Sequence, residues 1–230
     1  IGRHAPIGKG LWQAVCLPLL TLGRSRGVKL NAPDIRGLLG VFLADGFLSR
    51  SKSAVRGHIK ATFHGGIDER EFLEEKANEI RLVVPTQAKI SAYRMRPSQT
   101  GHQTSVLRFR FSSPLLDPVY NLFYPDGFRE ITHPLLDVLG FKAAAWLWAE
   151  GYREGGEGHR LRRVGALKDE ARLISGWLEF LTGAKSSVID TQSRRLPQLR
   201  FSDRDAGIVK AALLPHAPTS RKHLFLPGGS

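Results

Sequence analysis

The chain has 230 residues, 42% of them hydrophobic, which is enough apolar material for a packed core and excludes a wholly disordered chain. Its 34 Lys+Arg against 21 Asp+Glu give a formal net charge of +13, an excess that favours polyanions, nucleic acid first and acidic membrane surfaces second. The single cysteine, Cys16, rules out an intramolecular disulfide and a multi-cysteine zinc site, and no run approaches the ~18 apolar residues that would span a bilayer.

Residues 1–30 are loosely patterned. Trp12, Val15, Leu19 and Leu20 have helical spacing, but Pro18 interrupts it, so this stretch reads as an N-terminal extension packing on the body. The sequence starts at Ile1 rather than Met, so no intact signal or transit peptide is read. Asn31-Ala-Pro-Asp34 is a helix-start signal, and Ile35 to Leu43 is a compact apolar helix ending in Ala44-Asp45-Gly46.

From Val55 to Phe63 the pattern alternates. Ile59, Ala61 and Phe63 share one face, and Arg56, His58, Lys60, Thr62 and His64 share the other. Asp68 to Ile80 is predicted to be an amphipathic helix, with Phe72, Leu73, Ala77 and Ile80 inward and Glu71, Glu74, Glu75 and Glu79 wet. Alternation returns over Gln87 to Arg96 and over Val106 to Phe111, where Leu107, Phe109 and Phe111 interleave with Arg108 and Arg110. Pro114 to Phe123 is a short helix and Tyr124 to Gly127 a turn.

The same order then repeats. Pro134 to Glu150 is predicted to be one long apolar helix ending in Ala149-Glu150-Gly151. Strands are predicted over His159 to Val164, Ser186 to Thr191 and Leu196 to Ser202, with amphipathic helices over Lys168 to Leu181 and Asp203 to Leu214. The acids that close the two apolar helices, Asp45 and Glu150, lie 105 residues apart. An internal repeat of this size implies pseudo-twofold symmetry within one chain. The division is 1–30 extension, 31–125 first repeat, and 126–230 second repeat with a C-terminal tail.

Leu38-Leu-Gly-Val-Phe-Leu-Ala-Asp-Gly46 resembles the motif that names the LAGLIDADG homing endonuclease family, and Ala143-Ala-Ala-Trp-Leu-Trp-Ala-Glu-Gly151 looks like its second copy. Phe123-Tyr-Pro-Asp-Gly-Phe-Arg-Glu-Ile131 is similar to the linker of single-chain members, and the resemblance covers about residues 30–225. It implies an α+β fold of two pseudo-symmetric αββαββα repeats with antiparallel β-saddles and a central two-helix interface. Close approach of the helices needs small residues, which Gly40, Ala144 and Ala145 supply. Asp45 and Glu150 would then converge as catalytic acids and ligands for Mg²⁺, since hard divalent cations take oxygen donors. Bound metal activates water and stabilises the leaving oxygen in phosphodiester hydrolysis. By position, Lys222 is similar to a catalytic lysine of the family and Arg129 stands where its counterpart would be. The other reading of Asp45-Gly46 and of Glu150-Gly151 is a polar helix end with a glycine cap.

The strand faces point to nucleic acid independently of the motif. Arg56, His58, Lys60, Arg108 and Arg110 on one sheet, and Arg160, Arg162 and Arg200 on the other, would face a groove. Arg50, Lys89, Arg94, Arg96, Arg129 and Arg194 complete the candidate set. The expected partner is duplex DNA, cut site-specifically in the presence of Mg²⁺ by a monomer, with no membrane involved. Glu in place of the second Asp, and Gly65 and Gly66 where a polar residue is usual (His64 being the nearest substitute), favour the alternative. That alternative is a cleavage-deficient binder of structured RNA, as in an intron-splicing maturase or a recruited component of an organellar ribosome. An organelle is the compartment this implies. His58, His64, His102 and His133 lack metal-ligand spacing, and Trp146 and Trp148 are expected in the core.

Overall fold

The computed structural model describes residues 32–50, 58–95, 104–155, 158–189 and 196–227. The extension over 1–30, the cap residue Asn31, and Arg56, Arg96 and Arg194 lie outside the described residues.

Helix α1 (Ala32–Ala44) is followed directly by strand β1 (Phe47–Arg50) and then by β2 (Ile59–Gly65). A 3-10 turn leads into α2 (Arg70–Val83), after which come β3 (Ser91–Arg94), β4 (Ser105–Ser113) and α3 (Asp117–Phe123). In the second half α4 (His133–Val138) and α5 (Phe141–Gly151) precede β5 (Tyr152–Gly155) and β6 (Gly158–Leu161). Then come α6 (Lys168–Thr182), β7 (Ser187–Ile189), β8 (Gln198–Phe201) and α7 (Asp203–Leu213). Each half forms a four-stranded antiparallel sheet, ordered β1-β2-β4-β3 and β5-β6-β8-β7, so the two halves share one topology. Among the described residues no helix is long and apolar enough to cross a membrane.

Alternation fixes which face of each sheet is wet. Ile59, Ala61 and Phe63 are buried, as are Leu107, Phe109 and Phe111, while His64 and Arg110 are exposed. The apolar faces and the helices share one continuous core that includes Trp148, stacked 4.5 Å from Tyr152, and Trp146, stacked 5.8 Å from Phe72. Trp146 thereby joins the second half to α2 of the first.

The long helix predicted from Pro134 to Glu150 is two helices. Gly140 caps α5 in an extended conformation, φ −158°, and separates the two helices between Leu139 and Phe141. β1 and β5, the short strands that leave each acid, are not predicted by the sequence pattern.

α1 and α5 pack side by side at the centre. At Gly40 an added Cβ would lie 2.5 Å from the backbone Cα of Ala143, so only glycine fits. Gly40→Val is therefore expected to destabilise the fold by about 2–3 kcal/mol through overpacking, read as a lower urea midpoint at unchanged m-value. Gly151 is equally constrained: its added Cβ would sit 2.3 Å from the Arg162 carbonyl, where the β5–β6 hairpin returns. Neither Gly46 nor Gly151 takes a positive φ, so close packing rather than a left-handed helix cap explains the motif glycines.

The last described segment, a 3-10 stretch over Thr219–Phe225, crosses back to the first half. Ser220 donates to Glu75 from its N–H (3.1 Å) and its hydroxyl (2.6 Å), Arg221 pairs with Glu69, and Phe225 is buried. Glu75, expected on a wet face, is thus partly covered. Glu79 is paired with Lys142 of α5 and is mostly buried, not wet.

Candidate functional site: the central acid pair and the cationic sheet faces

α1 delivers Asp45 one residue beyond its C-terminus, and α5 carries Glu150 in its last turn. The two carboxylates meet, and both are engaged. Lys76 of α2 donates from Nζ to Asp45 Oδ2 at 3.3 Å and to Glu150 Oε2 at 2.5 Å. Arg163, just past β6, pairs through Nη1 with Asp45 Oδ1 and, at 3.2 Å, with Glu150 Oε1. Each carboxylate gives one oxygen to each cation, so the four groups close a ring of alternating charge. Its members differ in exposure: the side chains of Lys76, Glu150, Asp45 and Arg163 are 2%, 12%, 16% and 48% exposed.

Burial works to lower the Arg163 pKa, but the adjacent Asp45 and Glu150 charges outweigh it and hold the guanidinium above its ordinary value. Arg163 has φ +63°, the one non-glycine residue in the left-handed region among the described residues. Such a conformation costs about 1 kcal/mol or more and persists only where the surroundings hold it. The same residue pairs with both acids. His64, the nearest polar group at the end of β2, has its pKa lowered by burial against the opposing pull of Asp45.

Asp45 and Glu150 are oxygen donors of the kind Mg²⁺ takes, and that ion commonly uses only one or two protein carboxylates, completing its shell with substrate phosphates and water. The donor type fits. The charge balance does not favour the ion, because two cationic side chains already neutralise the pair. No group of three or more His, Cys, Asp or Glu is arranged to hold a metal among the described residues.

The lysine expected at the acids, Lys222, is exposed on the 3-10 segment, and Lys76 takes the place beside them. Lys76 did leave a signal. It occupies the inner stripe of α2 between Leu73 and Ile80, where a lysine is out of pattern. Arg129 turns its guanidinium onto the end of α1, donating to the carbonyls of Leu43 (2.7 Å), Phe42 (3.2 Å) and Gly46 (3.5 Å). A cation there adds donors at the carbonyl end of the helix, where Phe42 O already accepts the Gly46 N–H, and complements the helix dipole. Arg129 and Arg163 also line a cavity of about 450 Å³ beside Asp45. Its other acid, Glu170, is used structurally, accepting the N–H groups of Ile131, Ala166 and Leu167.

The sheet faces hold most of the described basic candidates. On the first sheet Lys60 faces Ser49 and Ser112, Arg110 faces Thr62, and His64 faces Arg108, all on the side away from the core. The Arg108 guanidinium lies 3.8 Å over the Tyr93 ring, a cation–π contact that holds it flat on the sheet. His58 precedes β2 in the same register. On the second sheet Arg160 stands between Arg153 and Arg200 in register across β5, β6 and β8, and Arg200 in turn faces Ser187. Three arginines therefore stand in one cross-strand row. Arg162 extends this face, exposed, beyond the end of β6. Arg153 was not among the sequence candidates; its spacing from Glu150 carries meaning only once β5 is recognised.

Three candidates lie elsewhere. Arg50 shares the inward register of Ile59 and turns to α3, where it meets Asp117 (3.3 Å), Asn121 (2.8 Å) and the Tyr120 ring. Lys89 sits beside Arg70, Glu74 and Arg81 on the outer side of α2. Arg94 is exposed at the sheet edge in the register of Ala92 and Leu107. Of the alternating stretch over Gln87 to Arg96, pairing begins only at Ser91.

No family model matches the chain, and no curated protein matches it. Solved structures do. The chain is similar to the homing endonuclease I-WcaI bound to its DNA recognition sequence, with a TM-score of 0.69 at 14% identity over 86% of this chain and 87% of that one. It is similar to a variant of I-DmoI in complex with its target DNA in the presence of magnesium, with a TM-score of 0.54 at 15% identity over 80% and 96% of the two chains. I-DmoI in complex with DNA and calcium gives a TM-score of 0.52 at 16% identity over 85% and 98%. With paired helices at the centre, an acid at the end of each, and two antiparallel sheets of one topology beside them, the chain has the LAGLIDADG-type α+β fold in two repeats.

Proposed function

We propose that this protein binds duplex nucleic acid along the outer faces of its two sheets. The observation that carries the reading is the row Arg153, Arg160 and Arg200. Guanidinium groups presented together on one face attract phosphates and release counterions on binding. Solved proteins of the same fold are bound to DNA, which makes duplex DNA the first ligand to test.

Within this reading, site-specific cleavage is assigned to the centre. For that, Asp45 and Glu150 would have to exchange Lys76 and Arg163 for Mg²⁺, which would supply an activated water and stabilise the leaving oxygen. The chain's own part is to bring the carboxylates together through the Gly40 contact and to aim the sheets at the flanking duplex. A second reading, binding without cleavage and with structured RNA as a ligand, is favoured by one observation: Lys76 and Arg163 neutralise the acids.

The test is binding and cleavage on one set of ligands. Anisotropy titrations with mixed-sequence duplex DNA and hairpin RNA are expected to lose on the order of a thousandfold in affinity between 50 and 200 mM salt, as for about six phosphate contacts. A flat salt response would overturn both readings. Mg²⁺-dependent cutting of a randomised duplex library selects the endonuclease. Metal-independent binding with an uncut library selects the second.

A further inference from the structure

The space between the two central acids already holds a cation, and it belongs to the chain. Lys76 Nζ reaches both carboxylates at once, 3.3 Å from Asp45 and 2.5 Å from Glu150, with its side chain 2% exposed. The helix that carries it is fixed by buried neighbours, Phe72, Leu73, Ala77 and Ile80, and the ammonium lies 4.5 Å over the Phe72 ring. Arg163 is placed differently. It caps the pair from the outside and is 48% exposed, so a phosphate could draw it away. Its departure would still leave Lys76 between the acids.

We infer that Lys76 occupies the position a divalent ion would need, and that Asp45 and Glu150 serve as an ionic lock holding α2, α1 and α5 together. A metal entering here must repel or displace an ammonium whose side chain is almost wholly buried. Displacement would leave that charge buried and unpaired, a penalty large enough to weaken metal binding by about a hundredfold or more. This goes beyond the nucleic-acid reading, and its test contains no nucleic acid, so failure to bind DNA or RNA would leave the result standing.

The probe is Mn²⁺, titrated against the full chain by electron paramagnetic resonance of the free ion, with melting temperature followed in parallel. Lys76→Met is expected to bind Mn²⁺ at least about a hundredfold more tightly than the unmodified protein and to gain thermal stability as Mn²⁺ is added. Adding Asp45→Asn to that variant is expected to abolish both effects. Lys76→Gln, which removes the charge but keeps a hydrogen-bonding amide near the acids, is measured alongside and is expected to gain affinity in the same direction if the Met variant does not fold. Asp45-dependent Mn²⁺ binding by the unmodified protein as tight as that of the variants would overturn the lock. So would a folded Lys76→Gln protein with no gain at all.

Discussion

Replacing both central acids by amides, Asp45→Asn with Glu150→Gln, is expected to lower the unfolding free energy by about 3–5 kcal/mol, enough to unfold much of a marginally stable chain at 37 °C. The reason is Lys76, which is 2% exposed and has both acids as its ion-pair partners. Amides of nearly the same size preserve packing but leave a buried ammonium without a counter-ion. Either single substitution leaves one carboxylate on Lys76 and should cost clearly less than half of the double. Adding Lys76→Met to the double variant is expected to recover stability, because a buried ionic cluster replaced by apolar groups of similar volume is often neutral or stabilising. Urea denaturation of the four variants and the unmodified protein checks the ordering. A double variant as stable as the unmodified protein would remove Lys76 from the account. This bears directly on any cleavage assay: an amide variant that fails to cut is informative only if it is shown to be folded.

The second large effect concerns the arginine row. Arg153→Ala, Arg160→Ala and Arg200→Ala combined are expected to weaken duplex binding on the order of a hundredfold, from three lost charge-assisted contacts at about 1 kcal/mol or more each. The slope of log affinity against log salt should become shallower by about 3, one for each phosphate contact removed. Fold stability should change by no more than about 1–2 kcal/mol, from the Arg153 bonds to the Glu150 and Tyr152 carbonyls, so the variant stays folded for the binding assay. Arg172→Ala, on α6 and paired with Asp169 within its own helix, serves as the control and should leave the slope unchanged. An unaltered slope in the triple variant would move the interface off the second sheet.

Much of this architecture was legible from local pattern. Apolar helices rich in small residues, each closing on an acid, gave the central pair, and period-two alternation over Ile59 to Phe63 and Leu107 to Phe111 gave the wet and dry faces of the first sheet. Three things were not legible, each for a physical reason. β1 and β5 are four residues long, too short for alternation to emerge, so Arg153 had no strand to sit on. The break between α4 and α5 falls at Gly140 between Leu139 and Phe141, and a single glycine among apolar neighbours does not by itself end a helix, so the pattern runs on through it. The ring of charge joins residues 31 and 74 positions from Lys76, contacts that only the assembled topology creates. The lysine in an apolar stripe was visible, but its partners were not.

The return of the 3-10 segment to α2 carries a consequence for how the molecule can be divided. Ser220 and Arg221 saturate Glu75 and Glu69, and Phe225 is sealed in the shared core, so residues late in the chain finish the surface of the early half. Severed at the turn over Tyr124 to Gly127, neither fragment would be self-sufficient. The pair should instead reconstitute on mixing, as complementary pieces of one cooperative body. Duplicated topology has thus not preserved modularity. Each half now depends on the other for closure, and swapping halves between relatives would require that crossing strap to travel with the helix it covers.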